Sequence, residues 1–573
     1  MMRKSFKKGA VLCMLGVTAL ALMGCLGITD GLDENPTATV TMEPSGSQVT
    51  GTEDPGIIPD TGAEPTTVTT PADDEKNDTK EKSMDYESIF KNITLSKSYK
   101  GVANNNPIIE QHYGADPFAL VYDDTVYFYM TADAYEYDAK GEIKENSYSQ
   151  IRSLYVVSTK DMINFTDHGE ITIAGANGAT KWAHNSWAPA AAWKMIDGKP
   201  KFFLYFADNG GGIGVVTSDS PVGPFVDELG HGLIRRDMEN CGNVEWLFDP
   251  AVIVDDDGRA YIYFGGGVPF DREAGKPKAA HPMTGRCAEL GDDMMSLKDV
   301  PVTIDAPFLF EDSGIHKFGD TYYYSYCSNF NVEENGPNEY GFANGEICIM
   351  ESKNPLGPFT FKERVLKNPG YFFGLGGNNH HAIFKFKDQW YICYHSRILE
   401  KEQGILHGYR STSIEAINIA EDGTIGDIKM TKNGGRAQVG TLNPYEKING
   451  ATFAVMAGVD TAPADEISKK YGCGNLLLTA INDGDFVKLQ GVDFGDKGAK
   501  KLTATVRTNG KDGVIRITTK YPNGDIAGYM AVKGDGAETT VISAELDTPI
   551  TGLQDVFFTF SGEGYEIVDW IFE

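Results

Sequence analysis

Residues 248–264 read FDPAVIVDDDGRAYIYF, and versions of this segment recur four more times along the chain. Each version has a short apolar strand, a polar turn that contains Asp or Gly, and a second strand rich in aromatic residues. The other four begin at Ala115, Trp187, Phe310 and His380 (ADPFALVYDDTVYFYM, WAPAAAWKMIDGKPKFFLYF, FEDSGIHKFGDTYYYSYC and HHAIFKFKDQWYICYH). Recurrence of β-type segments alone at a nearly regular period is typical of a β-propeller. The sequence therefore predicts an all-β fold with five blades of about four strands each.

The residue that leads each copy is expected at one end of the central channel, because the first strand of a propeller blade lines the axis. Three of the five leading residues are acidic, namely Asp116, Asp249 and Glu311, and His380 leads the fifth copy. Carboxylates repel one another and lose solvation at a crowded axis, so a purely structural repeat favours small or apolar residues there. The convergence of three acids therefore predicts a functional site.

Three carboxyl groups in one pocket suit the hydrolysis of a glycosidic bond. That reaction needs one ionised carboxylate and one protonated acid, which flank the bond. A third carboxylate nearby raises the pKa of the acid and holds its side chain in place. No cofactor is required for chemistry of this kind.

The charge balance excludes one class of partner. The chain has 573 residues, of which 81 are acidic and 51 are Lys or Arg, and its formal charge is -30. Nucleic acid and anionic membrane faces are poor partners for it, because binding them needs clustered Lys and Arg. A neutral polysaccharide is unaffected by the charge. The length itself predicts more than one domain.

Five stretches together resemble glycoside hydrolase family 43, whose members are five-bladed propellers that cleave arabinose- or xylose-containing plant polysaccharides with inversion. In chain order they are YGADPFALVYDD, NVEWLFDPAVIVDDDG, FLFEDSGIHKFGDTYYYSYC, GGNNHHAIF and GYRSTSIEAINIAEDGTI. The resemblance implies an exo-type α-L-arabinofuranosidase acting on arabinoxylan or arabinan, with β-xylosidase and endo-arabinanase as alternatives within the family. A catalytically idle glycan-binding propeller and a retaining, fructan-processing propeller are the rivals from other classes.

The resemblance also implies roles for the three acids. Asp116 matches the general base that activates water, Glu311 matches the general acid, and Asp249 matches the residue that modulates the pKa of the acid. Inversion predicts that the carboxyl groups of the base and the acid lie about 6.5 to 9.5 Å apart.

Three further positions are candidates for metal or sugar binding. His380, or its neighbour His381, matches a histidine that faces a structural Ca²⁺ ion near the propeller axis through water; a satisfied buried histidine is the alternative. Arg410 resembles an arginine that reaches the bound sugar, and a surface salt bridge is its alternative. Trp187 is expected at the mouth of the second blade, where its ring either stacks on a sugar or packs between blades.

The first 25 residues indicate export. A basic start followed by an apolar run over residues 10–23 is typical of a signal peptide, since the run is too short for an ordinary membrane span. Residues 22–25 (LMGC) resemble a bacterial lipobox, which implies lipidation of Cys25 and a cell-surface lipoprotein; plain secretion is the alternative. The membrane is therefore a predicted partner only through a lipid anchor, and the protein is expected to be a monomer.

Four regions are predicted: a signal peptide at 1–25, a disordered acidic tether at 26–83, the propeller at 84–440 and a β-sandwich at 441–573. The tether is rich in Thr, Pro and acidic residues and cannot bury enough apolar area to fold. The last region resembles carbohydrate-binding module family 6. It lacks a usual stacking tryptophan, has Asn449-Gly450-Ala451 in place of two carboxylates, and has Ile567 in place of an asparagine. These departures favour a structural, jelly-roll-like sandwich packed on the propeller over a working sugar module.

Six cysteines follow the signal region, and none has the paired spacing of metal ligands. Cys327 and Cys393 lie in aromatic strand patterns, where a small buried residue fits. Catalytic or zinc-bound thiols are therefore not expected. A disulfide between Cys241 and Cys287 stays open at this point.

Overall fold

The computed structural model describes residues 86–273, 275–332, 338 and 340–573, and residues 83–573 form one compact unit. The predicted export signal, the predicted lipidation site Cys25 and the predicted tether at 26–83 lie outside the described residues. Within the described part of the chain, no helix has the length and apolar character that crossing a bilayer requires.

Five antiparallel sheets follow one another along the chain, one for each copy of the repeat. Each copy folds as a hairpin because its aromatic and β-branched residues favour strands and its Asp or Gly turn reverses the chain. Blade 1 contains β1 (Tyr113–Tyr122), β2 (Thr125–Asp133), β3 (Ser153–Thr159) and β4 (Phe165–Thr172). Blade 2 contains β5 (Trp187–Ile196), β6 (Lys199–Ala207), β7 (Gly212–Ser218) and β8 (Ile234–Arg235).

The next two blades also have four strands each. The third segment contains β9 (Ala251–Val254), β10 (Ala260–Phe264), β11 (Phe270–Asp271), β12 (Lys276–Pro277), β13 (Gly285–Glu289) and β14 (Val302–Ile304). Here β11 and β12 form a separate ribbon, and the other four strands form blade 3. Blade 4 contains β15 (Leu309–Phe318), β16 (Thr321–Ser328), β17 (Ile347–Ser352) and β18 (Thr360–Leu366).

Blade 5 has three strands rather than the predicted four: β19 (His381–Phe386), β20 (Gln389–Ser396) and β21 (Ser411–Ile417). The chain that precedes β1 runs past the outer edge of this blade. There the backbone N–H of Ile108 donates a hydrogen bond to the carbonyl oxygen of Thr412 at 2.9 Å. Blade 5 therefore needs no fourth strand to engage this edge.

The innermost strands form a closed ring. β1 contacts β5, β5 contacts β9, β9 contacts β15, β15 contacts β19, and β19 contacts β1. Apolar side chains fill the space between neighbouring blades, and at the closure Phe128 of blade 1 meets Phe384 of blade 5 edge-on, with ring centroids 5.5 Å apart. The predicted five-bladed propeller is confirmed.

Two further sheets form a sandwich in the C-terminal part of the chain. The strands of this part of the chain are β22 (Ile448–Asn449), β23 (Thr452–Phe453), β24 (Val455–Ala457), β25 (Asp460–Pro463), β26 (Leu476–Thr479), β27 (Phe486–Asp493), β28 (Ala499–Arg507), β29 (Gly513–Thr519), β30 (Asp525–Val532), β31 (Thr540–Ile550), β32 (Leu553–Gly562) and β33 (Glu566–Phe572), and all but β23 belong to the sandwich. One sheet has the order β25-β26-β33-β28-β31, with β22 beside β33, and the other has the order β24-β27-β32-β29-β30. Trp570 is buried in the core between them and stacks on Phe558 at 4.2 Å.

The sandwich packs on the outer edge of blade 1, as the sequence favours. β23 pairs with β4 and extends that blade to five strands. The side chain of Asn164 exchanges two hydrogen bonds of 2.8 Å with the backbone of Gln490. The N–H of Glu170 donates to the carbonyl oxygen of Gly472 at 2.9 Å. A strand from beyond the predicted boundary at 440/441 thus completes a propeller sheet.

Short helices join some of these strands: α1 (Pro369–Phe373), α2 (Ile398–Gln403) and α3 (Glu466–Tyr471). Residues 86–90 are also helical, and Phe90 in this turn lies under the Arg516 guanidinium of the sandwich at 4.6 Å. α1 and α2 both belong to the end of the propeller that carries the acidic residues, because they precede β19 and follow β20.

All six cysteines of the described chain are buried free thiols, so Cys241 and Cys287 are not joined. Burial raises the pKa of Cys287 to about 12. A reactive thiol needs a lowered pKa, so these cysteines are packing residues.

Candidate active site

A shared backbone feature brings the leading residues to the axis. Asp116, Ala188, Asp249 and Asp312 have φ angles of 47°, 39°, 49° and 70°. Left-handed backbone is rare outside glycine and collects at functional sites, and aspartate tolerates it better than most residues. The equivalent residue of the fourth copy is therefore Asp312, and Glu311, which the sequence places in that role, is its neighbour.

His380 lies among three of these carboxyl groups. Its Nδ1 is 3.8 Å from Asp116 Oδ1 and 3.9 Å from Asp249 Oδ2, and its Nε2 is 3.2 Å from Asp312 Oδ1. All four side chains are buried. Burial lowers the pKa of His380, which favours the neutral ring. One histidine thus bridges carboxyl groups from blades 1, 3 and 4.

Asp116 is kept ionised by its neighbours. Burial opposes ionisation, but the Arg410 guanidinium and the contact with His395 outweigh it, so the pKa of Asp116 lies well below its usual range. Nη1 of Arg410 donates to Asp116 Oδ1 at 2.8 Å, and Nδ1 of His395 is 3.0 Å from the same oxygen. Asp116 is therefore suited to accept a proton.

Glu311 has the opposite character. Burial, followed by the negative charge of Asp249, raises the pKa of Glu311 well above its usual range. The backbone N–H of Asn379 donates to its Oε1 at 3.1 Å, which fixes the carboxyl group in the pocket. Glu311 therefore stays protonated at pH values at which an exposed glutamate is ionised, and it can donate a proton.

Asp249 interacts electrostatically with both of these acids. Its own pKa is raised well above the usual range by burial and then by the charge of Asp116. Its Oδ2 accepts a hydrogen bond of 2.8 Å from the backbone N–H of Asp312. The structure thus brings together all three acids that the sequence selects.

Asp312 is a fourth buried acid that the sequence reasoning missed. Its Oδ2 is 2.5 Å from Nδ1 of His381, whose Nε2 is 2.8 Å from Ser325 Oγ. Burial raises the pKa of Asp312 and lowers that of His381 to about 3. The signal was present in the repeat, because Asp312-Ser313 occupies the register of Asp116-Pro117 and Asp249-Pro250.

Arg410 is buried, so the surface salt bridge that the sequence left open is wrong. Its Nε and Nη2 donate to the two oxygens of Asp133 at 2.9 and 2.8 Å, which fixes the plane of the guanidinium. The guanidinium carbon lies 4.7 Å from the centre of the Tyr148 ring. Asp133, at the end of β2, therefore positions Arg410 against Asp116.

Aromatic rings lie along the blade 3 and blade 4 side of the acids. Trp246 lies 5.2 Å from Phe248 and 6.2 Å from Phe310, and Phe310 lies 5.3 Å from Phe330, between ring centroids. Trp246, Phe310 and Phe330 are half-buried. The positions of Trp246 and Phe310 near Asp249 and Glu311 in the sequence were the available signal, and Phe330 had none. Trp187, the predicted stacking residue, starts β5, is half-buried and donates its indole N–H to the carbonyl oxygen of Tyr148 at 3.0 Å.

These side chains provide no set of direct ligands for the expected Ca²⁺ ion. Ca²⁺ takes about six to eight oxygen ligands. Over the described ranges, no three His, Cys, Asp or Glu side chains are arranged to hold a metal ion. His380 faces carboxyl groups at hydrogen-bonding or longer distances, and His381 is engaged by Asp312 and Ser325. A structural Ca²⁺ ion that His380 faces through water therefore stays a prediction.

Two family models match the chain. The model for glycosyl hydrolases family 43 matches residues 104–425, and the model for carbohydrate binding module (family 6) matches residues 450–573. The chain is 44% identical over 491 residues to an arabinoxylan arabinofuranohydrolase of Paenibacillus polymyxa, which covers 83% of this chain and 75% of the relative. It is 44% identical over 479 residues to an arabinoxylan arabinofuranohydrolase of Bacillus subtilis. That alignment covers 81% of this chain and 91% of the relative.

A solved structure has the same architecture. The crystal structure of a Bacillus subtilis family 43 arabinoxylan arabinofuranohydrolase in complex with cellotetraose superimposes with a TM-score of 0.78 at 42% identity, over 83% of this chain and 99% of that one. The propeller, the buried acids and the family match agree with one another. The chain therefore belongs to glycosyl hydrolase family 43 and is a glycoside hydrolase with a C-terminal family 6 module.

Proposed function

We propose that the protein is an exo-acting α-L-arabinofuranosidase that removes arabinofuranosyl side chains from arabinoxylan. The observation that carries this proposal is the pair of opposite pKa shifts at Asp116 and Glu311 in one pocket, because hydrolysis of a glycosidic bond needs one ionised and one protonated carboxyl group. The choice of sugar is supported by the two relatives at 44% identity, both of which are arabinoxylan arabinofuranohydrolases.

Asp116 is the proposed general base. Its carboxylate takes a proton from a water molecule, and the water oxygen attacks C1 of the arabinosyl residue on the face opposite the leaving group. Arg410 supports this role because its positive charge favours the ionised form of Asp116 before the reaction. A protonated Asp116 has no capacity to activate the water.

Glu311 is the proposed general acid. Its proton passes to the departing oxygen as the bond between that oxygen and C1 breaks, so a xylosyl hydroxyl leaves instead of an alkoxide. Asp249 has the proposed role of modulating Glu311, because any negative charge on Asp249 opposes the ionisation of Glu311 beside it and the two buried acids do not ionise together. The step leaves Asp116 protonated and Glu311 ionised, and proton exchange with water restores both.

The C-terminal module has a proposed structural role. Its Trp570 is buried in the core and has no free face for a sugar, and the module supplies β23 to blade 1. The chain is also proposed to be exported and anchored through a lipid at Cys25, a role that rests on the N-terminal sequence alone.

Hydrolysis of four substrates tests the proposed activity. We expect arabinose release from arabinoxylan and from an aryl α-L-arabinofuranoside, and little product from an aryl β-xyloside or linear arabinan. Glu311→Ala should lower kcat on arabinoxylan by about 100- to 10,000-fold, because the poor leaving group needs the acid. The loss should be smaller on an aryl arabinofuranoside with a good leaving group, and proton NMR should detect the inverted anomer first.

Glu351→Ala is the matched control, since Glu351 is a surface glutamate of the same blade that pairs with Lys362. Release of xylose from the xyloside, or of oligosaccharides from arabinan, would replace the proposed activity with a β-xylosidase or an endo-arabinanase. Full activity of Glu311→Ala on arabinoxylan would remove Glu311 from the mechanism.

A further inference from the structure

A cavity outside the carboxylate cluster opens next to the arginine of the site. Its volume is about 390 Å³, and it is lined by residues 134–137, Lys144, Gln150 and Ile151. Small-molecule pockets have volumes of about 300 to 1,000 Å³, so the cavity has room for a sugar residue. None of its lining residues belongs to the acid and base machinery described above.

The topology of blade 1 puts this cavity on the catalytic face. Its lining comes from the loop between β2 and β3, and β2 ends at Asp133. Tyr113, three residues before the base Asp116, pairs with Asp133 across the sheet. Ala134 follows the aspartate that holds Arg410, and Arg410 contacts Asp116 at 2.8 Å. One lining residue of the cavity, Ala134, is therefore adjacent in the chain to Asp133, which orients Arg410 against the base.

The cavity offers an aromatic surface without a free charge. Tyr137 is 57% exposed, and its ring lies 6.4 Å from that of Tyr135 in an edge-on arrangement. The carboxylate of Glu136 is occupied by Ser147 and by Lys144 at 3.0 Å. A tyrosine ring pairs well with the C–H face of a sugar, and its hydroxyl adds a polar contact. The lining therefore suits a neutral sugar better than an ionic ligand.

The loop that forms the cavity is held in place before any ligand binds. The N–H of Asp138 donates to the carbonyl oxygen of Glu142 at 2.9 Å, and the N–H of Lys144 donates to the carbonyl oxygen of Glu136 at 2.9 Å, which makes a small hairpin. The hydroxyl of Tyr409 accepts from the N–H of Glu136 at 2.7 Å and donates to the carbonyl oxygen of Lys144 at 3.1 Å. A fixed loop loses little conformational entropy when a ligand binds.

Tyr409 also links the loop to the arginine, because it immediately precedes Arg410 in the chain. Its ring lies 5.1 Å from Tyr135 in an edge-on contact. The floor of the cavity and Arg410 are thus supported by the same cluster of aromatic side chains. A sugar bound against Tyr137 would lie on the same face as the scissile bond.

We propose that this cavity binds a xylosyl residue of the xylan backbone that is not itself the point of arabinose attachment, with Tyr137 as the stacking ring. The inference rests on the proposed function, since it assumes a polymeric arabinoxylan substrate. It adds a binding subsite in blade 1, away from the Trp246, Phe310 and Phe330 rings. Its consequence is that polymer and small aryl substrates should depend differently on Tyr137.

Tyr137→Ala tests the subsite through two substrates. We expect KM for arabinoxylan to rise about tenfold with kcat nearly unchanged, whereas both constants for an aryl arabinofuranoside stay at the wild-type values. Tyr137→Trp should restore the KM for the polymer, because it keeps a stacking ring. Tyr521→Ala is the control, since Tyr521 is an equally exposed tyrosine, 65% accessible, in the sandwich.

Binding of linear xylohexaose, which carries no arabinose, is measured in parallel by calorimetry. We expect Tyr137→Ala to weaken it by about the same factor as it raises KM. Unchanged affinity for xylohexaose, or equal losses on the polymer and the aryl substrate, would overturn the subsite. Absence of arabinose release by the wild type from every substrate would instead overturn the proposed function, and the two failures are therefore distinguishable.

Discussion

Residues of the same chemical type acquire opposite properties in this pocket. Asp116 and Asp249 both lead inner strands, both are buried and both have left-handed backbone. Arg410 contacts Asp116 directly and lowers its pKa, whereas burial and the charge of Asp116 raise the pKa of Asp249. The division between base and modulator therefore depends on one guanidinium, which is held by Asp133.

Arg410→Ala should change the pH dependence of activity on its acid side. The base works ionised, so kcat/KM falls as the pH drops through the pKa of Asp116, and loss of Arg410 raises that pKa. We expect the acid limb to move up by about one to three pH units. Arg410→Lys should give a smaller shift, since a positive charge remains.

The alkaline limb should not move with Arg410, because it reports the acid. Glu311 works protonated, and activity is lost as the pH rises through its raised pKa. The measurement is kcat/KM on an aryl arabinofuranoside across the pH range, with Arg259→Ala as control, an exposed arginine bound to Asp257. An acid limb that stays in place in Arg410→Ala would show that Arg410 does not tune the base.

Sequence reasoning reached most of the pocket residues because the repeat marks them. Asp116, Asp249 and Glu311 follow from the copies themselves, and Arg410 follows from the resemblance. Asp312 escaped because the fourth copy was aligned on Glu311, and the backbone angle of Asp312 shows that the correct register is one residue later. The Asp133 pairing with Arg410 could not be predicted, because 277 residues separate the two partners.

At the scale of elements, four of the five inner strands have, at or near their start, a left-handed residue that carries a backbone cost, and three of those residues supply a carboxyl group. Asp116, Asp249 and Asp312 use the left-handed turn to aim carboxyl groups at His380. Ala188 has the same turn in blade 2, with a φ of 39°, but offers no functional group. Its N–H donates to Thr131 Oγ1 at 2.8 Å. The turn is therefore a structural feature of the inner strands, and in three blades the residue at the turn also supplies a carboxyl group.

Ala188→Gly tests the strain at this turn. Left-handed backbone costs a residue with a Cβ roughly 1 to 2 kcal/mol, and glycine relieves it at the loss of one buried methyl group. We expect the Tm of Ala188→Gly to stay close to that of the wild type. Ala191→Gly is the control, because Ala191 is equally buried in the middle of β5. It should lower the free energy of unfolding by about 1 to 2 kcal/mol.

Ala188→Val completes the series, since a β-branched side chain is unfavourable at positive φ and Ala188 is only 2% exposed. We expect it to be the least stable of the three variants by differential scanning calorimetry. Equal losses of Tm in Ala188→Gly and Ala191→Gly would mean that the turn stores no strain.

At the scale of the whole molecule, the propeller and the sandwich share structure that their separate sequence patterns do not reveal. The predicted boundary at 440/441 separates two strand patterns, yet β23 joins blade 1 and Thr461 donates a hydrogen bond of 2.5 Å to Asp167. Asp167 is also 3.2 Å from Nε2 of His112. Complementarity between two surfaces has no period in a sequence, so the fold of each part was predictable and their contact was predictable only in outline.

Gly169→Ala should reveal this coupling when it is compared with Gly198→Ala. Both glycines have positive φ, 86° and 77°, so both variants incur a similar backbone cost of about 1 kcal/mol. A Cβ at Gly198 meets nothing within 4 Å, whereas a Cβ at Gly169 would lie 2.3 Å from the carbonyl oxygen of Gly472 in the sandwich. Gly169→Ala should therefore lose clearly more Tm, and its calorimetric trace should separate into two transitions, whereas we expect a single transition for the wild type. Equal losses in the two variants would mean that the sandwich moves aside freely and does not support blade 1.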